Sequence, residues 1–281
     1  MQADPARERV HEYSRDGLTF DVRDEGPLDA DRTVVLLHGF PQSGATWRDV
    51  VPALHAAGLR TLAPDLRGYS PRARPAGRAA YRIGAIADDV RALLDAAGVG
   101  QAHVVGHDWG GAAAWATAGL HTDRVASLTA LSTPHPSALG WSFTHSSQGL
   151  KSWYMAAFQL PLLPERMVGR GLRANLVKAG LPAAFADEYA ARLADPAALA
   201  GALGWYRGMP ASRHDHIGRT KVPTTYAWGR KDFALGRAAA QATARFVSAA
   251  YLFVELEAGH WLPERHPDEV ASLIIDRVES S

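Results

Sequence analysis

The chain has 281 residues, 30 Lys and Arg against 29 Asp and Glu, and a formal net charge of +1. That length accommodates one large α/β domain with an insertion, and the balanced charge gives no argument for nucleic acid or an anionic membrane as a partner. With no cysteine in the chain, disulfides, thiolate catalysis and Cys-ligated metals are excluded.

Thr19 to Arg23 reads as a strand, with a segment around Val10 to Ser14 as its candidate partner. Thr33 to Leu37 is the first strongly buried strand, and it runs into the break His38-Gly39-Phe40-Pro41. The carboxyl edge of a strand is where open α/β sheets carry their sites. Ser43 to Ala57 has helical spacing, and Leu59 to Ala63 reads as another strand, followed by Asp65 and Arg67, which are expected to brace a loop. From Tyr81 to Ala97, residues Ile83, Ile86, Val90, Leu93 and Leu94 fall three and four apart, an amphipathic helix stopped by Gly98. Ala102 to Val105 is a short apolar strand, followed by Gly106-His107-Asp108-Trp109-Gly110-Gly111 and an Ala-rich helical run. Val125 to Leu131 is a further strand. This alternation predicts an α/β fold with a mostly parallel sheet covered on both faces by helices.

The rhythm changes at Ser132-Thr133-Pro134-His135-Pro136, and no strand-like run follows until after His216. Aromatic, Leu-, Met- and Ala-rich stretches broken by Pro161, Pro164, Pro182, Pro196 and Pro210 read as short helices. The expected organisation is a core of residues 1–133 and 217–281 with a helical cap, 134–216, inserted over the sheet's carboxyl edge. Strands return at Thr224 to Trp228 and Tyr251 to Leu256, and the last helix is expected from Pro267 to Glu279. The charged N-terminal stretch is unlike a secretory signal. No apolar run is long enough to span a bilayer, so a cytoplasmic location is expected.

Strand, Gly-flanked turn and helix around Asp108 are the context of a nucleophile elbow, in which one side chain is held on a strained turn above the sheet. Asp108 stands where serine is usual. Asp232 follows the strand ending at Trp228, and His260 follows the strand ending at Leu256. Nucleophile, acid and histidine in that chain order, each at a strand's carboxyl end, form the set expected of an α/β-hydrolase.

A carboxylate nucleophile narrows the chemistry. Attack on an ester carbonyl would give an anhydride. Attack on a saturated carbon bearing a leaving group gives an alkyl ester, which water activated by His260 can cleave. The oxyanion of that second step needs donors, expected from the backbone N–H groups of Phe40 and Trp109. Two leaving groups fit, an epoxide oxygen and a halide. The epoxide oxygen needs a proton donor such as tyrosine, whereas a halide needs only N–H donors. The cap segment holds Tyr154, Tyr189 and Tyr206, and also Trp141, Trp153 and Trp205, so residue types alone leave both open.

Four stretches, His38-Gly39-Phe40-Pro41, Gly106 to Gly111, Ser132 to Pro136 and Gly259-His260-Trp261, resemble those of the α/β-hydrolase epoxide hydrolases. Ser152 to Gln159 and Gly204-Trp205-Tyr206-Arg207 resemble that family's two cap tyrosine segments, and Lys231-Asp232-Phe233 its acid loop. The resemblance implies that Tyr154 and Tyr206 clamp and protonate an epoxide oxygen, with no cofactor and no metal. The expected partners are then a small-molecule epoxide and water, with oligomeric state left open. Haloalkane dehalogenases share the Asp elbow but usually carry Asn or Glu where Phe40 stands. A dehalogenase is therefore the alternative, and a non-catalytic ligand-binding protein on the same scaffold a third. Phe40, Trp109, Trp141, Trp153 and Phe158 are the expected substrate-contacting side chains, with Phe143, Met155 and Leu160 adding apolar wall. His214-Asp215-His216 is expected to be a solvated turn rather than a metal pair.

Overall fold

The computed structural model describes residues 8–160 and 163–281; Pro161 lies outside them. Eight strands form one sheet: β1 (Glu12–Arg15), β2 (Leu18–Glu25), β3 (Thr33–Leu37), β4 (Arg60–Pro64), β5 (Ala102–His107), β6 (Val125–Leu131), β7 (Thr224–Gly229) and β8 (Tyr251–Leu256). Their order is β1-β2-β4-β3-β5-β6-β7-β8. β1 and β2 add antiparallel, and β4 through β8 run parallel. The parallel strands β3, β4, β5 and β7 are buried along their whole length, as strands covered on both faces must be.

Side chains alternate between those faces. Val35 and Leu37 join one apolar cluster with helices α2 (Ile83–Ala96) and α3 (Trp109–Leu120). Val34 and Leu36 join the other, with α1 (Val51–Ala56) and the last helix, Pro267–Glu279. The expected helix over Ser43 to Ala57 is two pieces, a 3-10 turn at Gly44–Trp47 and then α1. Pro52 sits in the first turn of α1, where its missing N–H costs nothing, and so marks a fresh helix start. Asp65 and Arg67 do brace the loop after β4. Asp65 accepts from the Gly44 N–H at 2.8 Å and pairs with Arg192, and Arg67 binds Asp89 through two nitrogens at 2.7 and 2.6 Å.

Between β6 and β7 lie α4 (Pro136–His145), α5 (Gln148–Lys151), α6 (Trp153–Ala157), α7 (Leu163–Lys178), α8 (Ala183–Arg192) and α9 (Pro196–Gly208). Prolines open several of these helices: Pro136 and Pro196 at the first position, Pro182 at the cap. Among the described residues these helices form no separate core. Leu172, Phe185, Tyr189, Leu203 and Trp205 belong to the same buried cluster as Val35 and Leu37 of the sheet. Each such side chain taken from water contributes about 1.5–3 kcal/mol, so the insertion is bound to the sheet by the core it shares.

The closest seam is along α9. Gly201, Gly204 and Gly208 fall three and four apart on one helix face. A Cβ at Gly201 would lie 2.3 Å from the Gly68 carbonyl oxygen, and one at Gly208 would lie 2.2 Å from that of Tyr81. The indole of Trp205 donates to the Arg67 carbonyl at 2.7 Å across the same seam. Alanine in place of a helical glycine normally gains up to about 1 kcal/mol. Here the new methyl meets rigid backbone, so Gly201→Ala is expected to lose about 1–3 kcal/mol in urea unfolding, and a more stable variant would contradict this seam.

Candidate active site

Asp108 joins β5 to α3 with φ 52° and ψ −122°, a conformation that side-chain-bearing residues rarely adopt. Such strain costs about 1–3 kcal/mol and persists only where the surroundings over-determine it. Here they do. The Thr133 hydroxyl donates to the Asp108 carbonyl at 2.7 Å, and the Asp108 N–H donates to the Leu131 carbonyl at 3.3 Å. The turn is tight enough that a Cβ at Gly106 would lie 2.1 Å from the Gly110 carbonyl oxygen.

The register of β3, β5, β7 and β8 aligns their carboxyl ends: Leu37 sits beside Gly106, and Gly229 beside Leu256. The loops that follow therefore converge. The Phe40 N–H donates to Asp108 Oδ1 at 2.8 Å. The other carboxylate oxygen, Oδ2, lies 3.5 Å from His260 Nε2. His260 Nδ1 meets Asp232 Oδ2 at 2.8 Å, and Asp232 Oδ1 accepts from the N–H groups of Ala234 and Leu235 at 2.7 and 2.9 Å. Trp109 is the first residue of α3, where a backbone N–H has no acceptor within the helix.

His260 and Asp232 are 3% and 5% exposed, so their charges interact with little screening by water. Burial alone pulls the His260 imidazole down, but the carboxylates of Asp232 and Asp108 outweigh it and hold its pKa at about 10. Burial pushes Asp108 up, and the His260 hydrogen bond and charge, with the Phe40 N–H, bring it below the usual carboxylate range. At neutral pH the resting site is thus an imidazolium between two carboxylates.

A cavity of about 500 Å³ opens above Asp108. Trp109, Pro134, Leu139, Phe143, Met155 and Leu235 give it apolar walls, and Tyr154 and Tyr206 face into it beside the carboxylate. Burial, and then the neighbouring Asp108 charge among others, raises both phenols well above their ordinary value, so both carry their protons at neutral pH. Tyr206 is caged, with the rings of Phe158, Trp109 and Phe40 at 4.9, 5.0 and 5.6 Å, each near perpendicular.

Of the expected substrate-contacting side chains, Trp109 lines the cavity. Phe40 and Phe158 pack edge-on against Tyr206 and are not among the side chains that line the cavity. Trp153 is 68% exposed and Leu160 50%, so neither is a wall residue. Adjacent helical residues point about 100° apart, and with Tyr154 turned inward Trp153 turns out. Trp141 likewise leaves the cavity: Pro136, Leu139, Gly140 and Phe143 form the lining face of α4, while Trp141 stacks on His145 at 4.5 Å and carries Arg245 at 4.8 Å. Asp215 is not in a solvated turn. It accepts from the Gly84 N–H at 2.9 Å, pairs with Arg82 and lines the far end of the cavity. Among the described residues no cluster of three or more His, Asp or Glu could hold a metal ion.

A family model described as an alpha/beta hydrolase fold matches residues 32–176. The chain is 36% identical to AB hydrolase superfamily protein YfhM of Bacillus subtilis, over 94% of this chain and 96% of that one. It is 33% identical to Epoxide hydrolase A of Mycobacterium tuberculosis, over 86% of this chain and 89% of that one. This chain belongs to the α/β-hydrolase fold family, in the branch of the epoxide hydrolases. The crystal structure of Epoxide Hydrolase A from Mycobacterium thermoresistibile is similar over 95% of this chain and 97% of that one, with TM-score 0.83 and 26% identity.

Sequence reasoning about this α/β hydrolase missed two groups of residues around the site. Gln148 of α5 is buried. Its amide nitrogen donates to Ser152 Oγ at 2.9 Å and to the Ala234 carbonyl at 2.8 Å, and its oxygen accepts from the Gly236 N–H at 2.8 Å. It thereby ties the loop after Asp232 to the segment entering Tyr154. Gln42, His107, Tyr189 and Glu264 form a second buried set beside His260. Neither has a local signal, because the partners are far apart in the chain.

The charge balance at His260 has a measurable sign. Its folded-state value is raised, so the stabilisation is complete below the unfolded value of about 6.5 and fades as pH climbs through about 10. In Asp108→Asn one of the two carboxylates is gone. The titration midpoint of the His260 ring, followed by NMR, is expected to fall by about one pH unit or more, with a smaller alkaline loss of thermal stability. An unchanged midpoint would mean that Asp108 does not hold the imidazolium.

Proposed function

We propose that this α/β hydrolase opens an apolar epoxide to a vicinal diol through an ester on Asp108. The observation that carries the reading is a carboxylate with two distinct oxygens in a cavity it shares with two protonated phenols. Oδ1 is engaged by the Phe40 N–H at 2.8 Å, and Oδ2 faces His260 at the longer distance of 3.5 Å. In the first step Oδ2 attacks a ring carbon, the C–O bond of the epoxide breaks, and Tyr154 or Tyr206 gives its proton to the departing oxygen. The names of the relatives support the substrate class: Epoxide hydrolase A shares a third of its residues with this chain across most of both.

In the second step water attacks the carboxyl carbon of the ester, and His260 takes its proton. The oxyanion forms on the carbonyl oxygen, the former Oδ1, where the N–H groups of Phe40 and Trp109 are the donors. Collapse breaks the ester C–O bond, and the departing oxygen takes the remaining proton of the water, which frees the diol and restores the Asp108 carboxylate beside the imidazolium. Ester formation removes the charge of Asp108, one of the two that hold the imidazolium. Before water attacks, the His260 imidazolium therefore passes its proton to the phenolate left by the first step and becomes a free base. In this reading residues 134–216 act as the cap, bringing both phenols over a core of residues 1–133 and 217–281.

Single turnover with enzyme in excess in heavy-oxygen water tests the covalent route. Label is expected in the Asp108 carboxylate and not in the first diol released; label directly in the diol would rule the ester out. The Tyr154→Phe, Tyr206→Phe double variant is expected to lose roughly 10²–10⁴-fold in the alkylation rate. Halide release from alkyl halides with no diol from any epoxide would favour the dehalogenase alternative, and ligand binding with no turnover of either class the binding-protein alternative.

A further inference from the structure

Glu264 is a buried carboxylate that the steps above do not use. It lies in the short helix Leu262–Arg265, just past His260, and is 6% exposed. One of its oxygens, Oε1, accepts from three side chains: Gln42 Nε2 at 2.6 Å, the Thr46 hydroxyl at 2.8 Å and the Tyr189 hydroxyl at 2.9 Å. Gln42 and Thr46 belong to the segment after β3, and Tyr189 to helix α8 of the insertion.

Gln42 passes this anchoring on. Its own oxygen accepts from the Gly39 N–H at 2.6 Å, one residue before the Phe40 donor, and meets His107 Nδ1 at 3.0 Å. His107 immediately precedes Asp108, and its Nε2 meets the backbone carbonyl of His260 at 2.8 Å. The orientation of the Gln42 amide is fixed. Its oxygen faces a backbone N–H, and its nitrogen faces a carboxylate and a hydroxyl. Glu264 thus fixes the Gln42 amide, which holds the Gly39 N–H beside Phe40 and sits against His107, the neighbour of Asp108 whose ring also meets the His260 carbonyl. Asp108 serves both steps, but only the water step needs His260 as a base and the Phe40 N–H as a donor to an oxyanion. The phenols that serve the first step are held elsewhere, on α6 and on the glycine seam of α9.

We propose that Glu264 is a positioning residue for hydrolysis of the Asp108 ester, acting through Gln42 and His107 rather than by touching substrate. The proposal rests on the covalent reading above. Misplacement of a reacting group by about 1 Å costs on the order of 10²-fold. Removing Glu264 is therefore expected to slow one half-reaction and spare the other.

The test is a rapid-quench single turnover on an epoxide, with the alkylated protein followed by intact mass and the diol by chromatography. In Glu264→Ala the alkylation rate is expected within about threefold of wild type, while ester hydrolysis falls roughly 10–100-fold and the adduct accumulates. Glu264→Gln keeps an acceptor oxygen and the side-chain volume. It carries the test if the alanine variant does not fold, and its hydrolysis rate is expected between the two. Tyr189→Phe removes only the bond from the insertion and is expected to leave the partition between the two steps as in wild type. Equal slowing of both steps by the Glu264 variants would overturn the proposal. So would adduct accumulation in Tyr189→Phe, which would assign the effect to the seating of α8. Wild-type enzyme that forms neither adduct nor diol would instead sink the covalent reading; an adduct in wild type with an unchanged partition in both Glu264 variants would sink the positioning role alone.

Discussion

One imidazole between two carboxylates is the interaction on which the rest of this molecule depends. His260 is buried with Asp232 on one ring nitrogen and Asp108 facing the other. In so little water an uncompensated charge would be expensive; the carboxylates raise the His260 imidazole, and its charge in turn lowers Asp108. The arrangement needs three loops to arrive at one point. Parallel register supplies that, because the carboxyl ends of β5, β7 and β8 lie side by side. It also needs Asp108 aimed out of the sheet, which the strained elbow supplies at a conformational cost that the Thr133 and Leu131 contacts offset.

On the proposed route the insertion between β6 and β7 takes part in the chemistry, because it carries Tyr154 and Tyr206 into the cavity. Because its helices share the sheet's apolar core, α9 cannot drift without exposing Trp205, Leu203 and the seam at Gly201. Tyr206 rides on that helix, caged by rings from both the insertion and the core. The same burial that seats the phenols keeps them protonated beside a negative carboxylate. A proton donor next to an anion is thus maintained by desolvation, and on the proposed route the first step depends on it.

Second contacts then link the parts. Gln148 joins the insertion to the Asp232 loop, and Glu264 joins it, through Tyr189, to the segment carrying Phe40. These amide and carboxylate bridges are buried. Each would leave several donors or acceptors without partners if cut, which costs more than the net worth of a single hydrogen bond. Buried hydrogen bonds therefore hold the loops on both sides of the site.

Several features were legible in the chain alone because they have local causes. Continuous apolar runs marked β3, β5, β6 and β8, periodic leucines and isoleucines marked α2, and the last helix was expected over the residues it occupies. Asp108, Asp232 and His260 were found because a turn chemistry or a strand end sits next to each of them. What stayed hidden has non-local causes. Trp141 and Trp153 have the composition of wall residues, but helix phase, set by which neighbour turns inward, decides that they face away. Gln42 and Glu264 are separated by 222 positions, and no spacing rule joins them. The sequence by itself determined the sheet and the chain order of Asp108, Asp232 and His260 at its strand ends, since these follow from short-range periodicity and residue chemistry. Only the tertiary structure decided which side chains share the cavity, which charges hold His260 and which buried groups hold the loops, because those depend on distances between segments that the chain order does not contain.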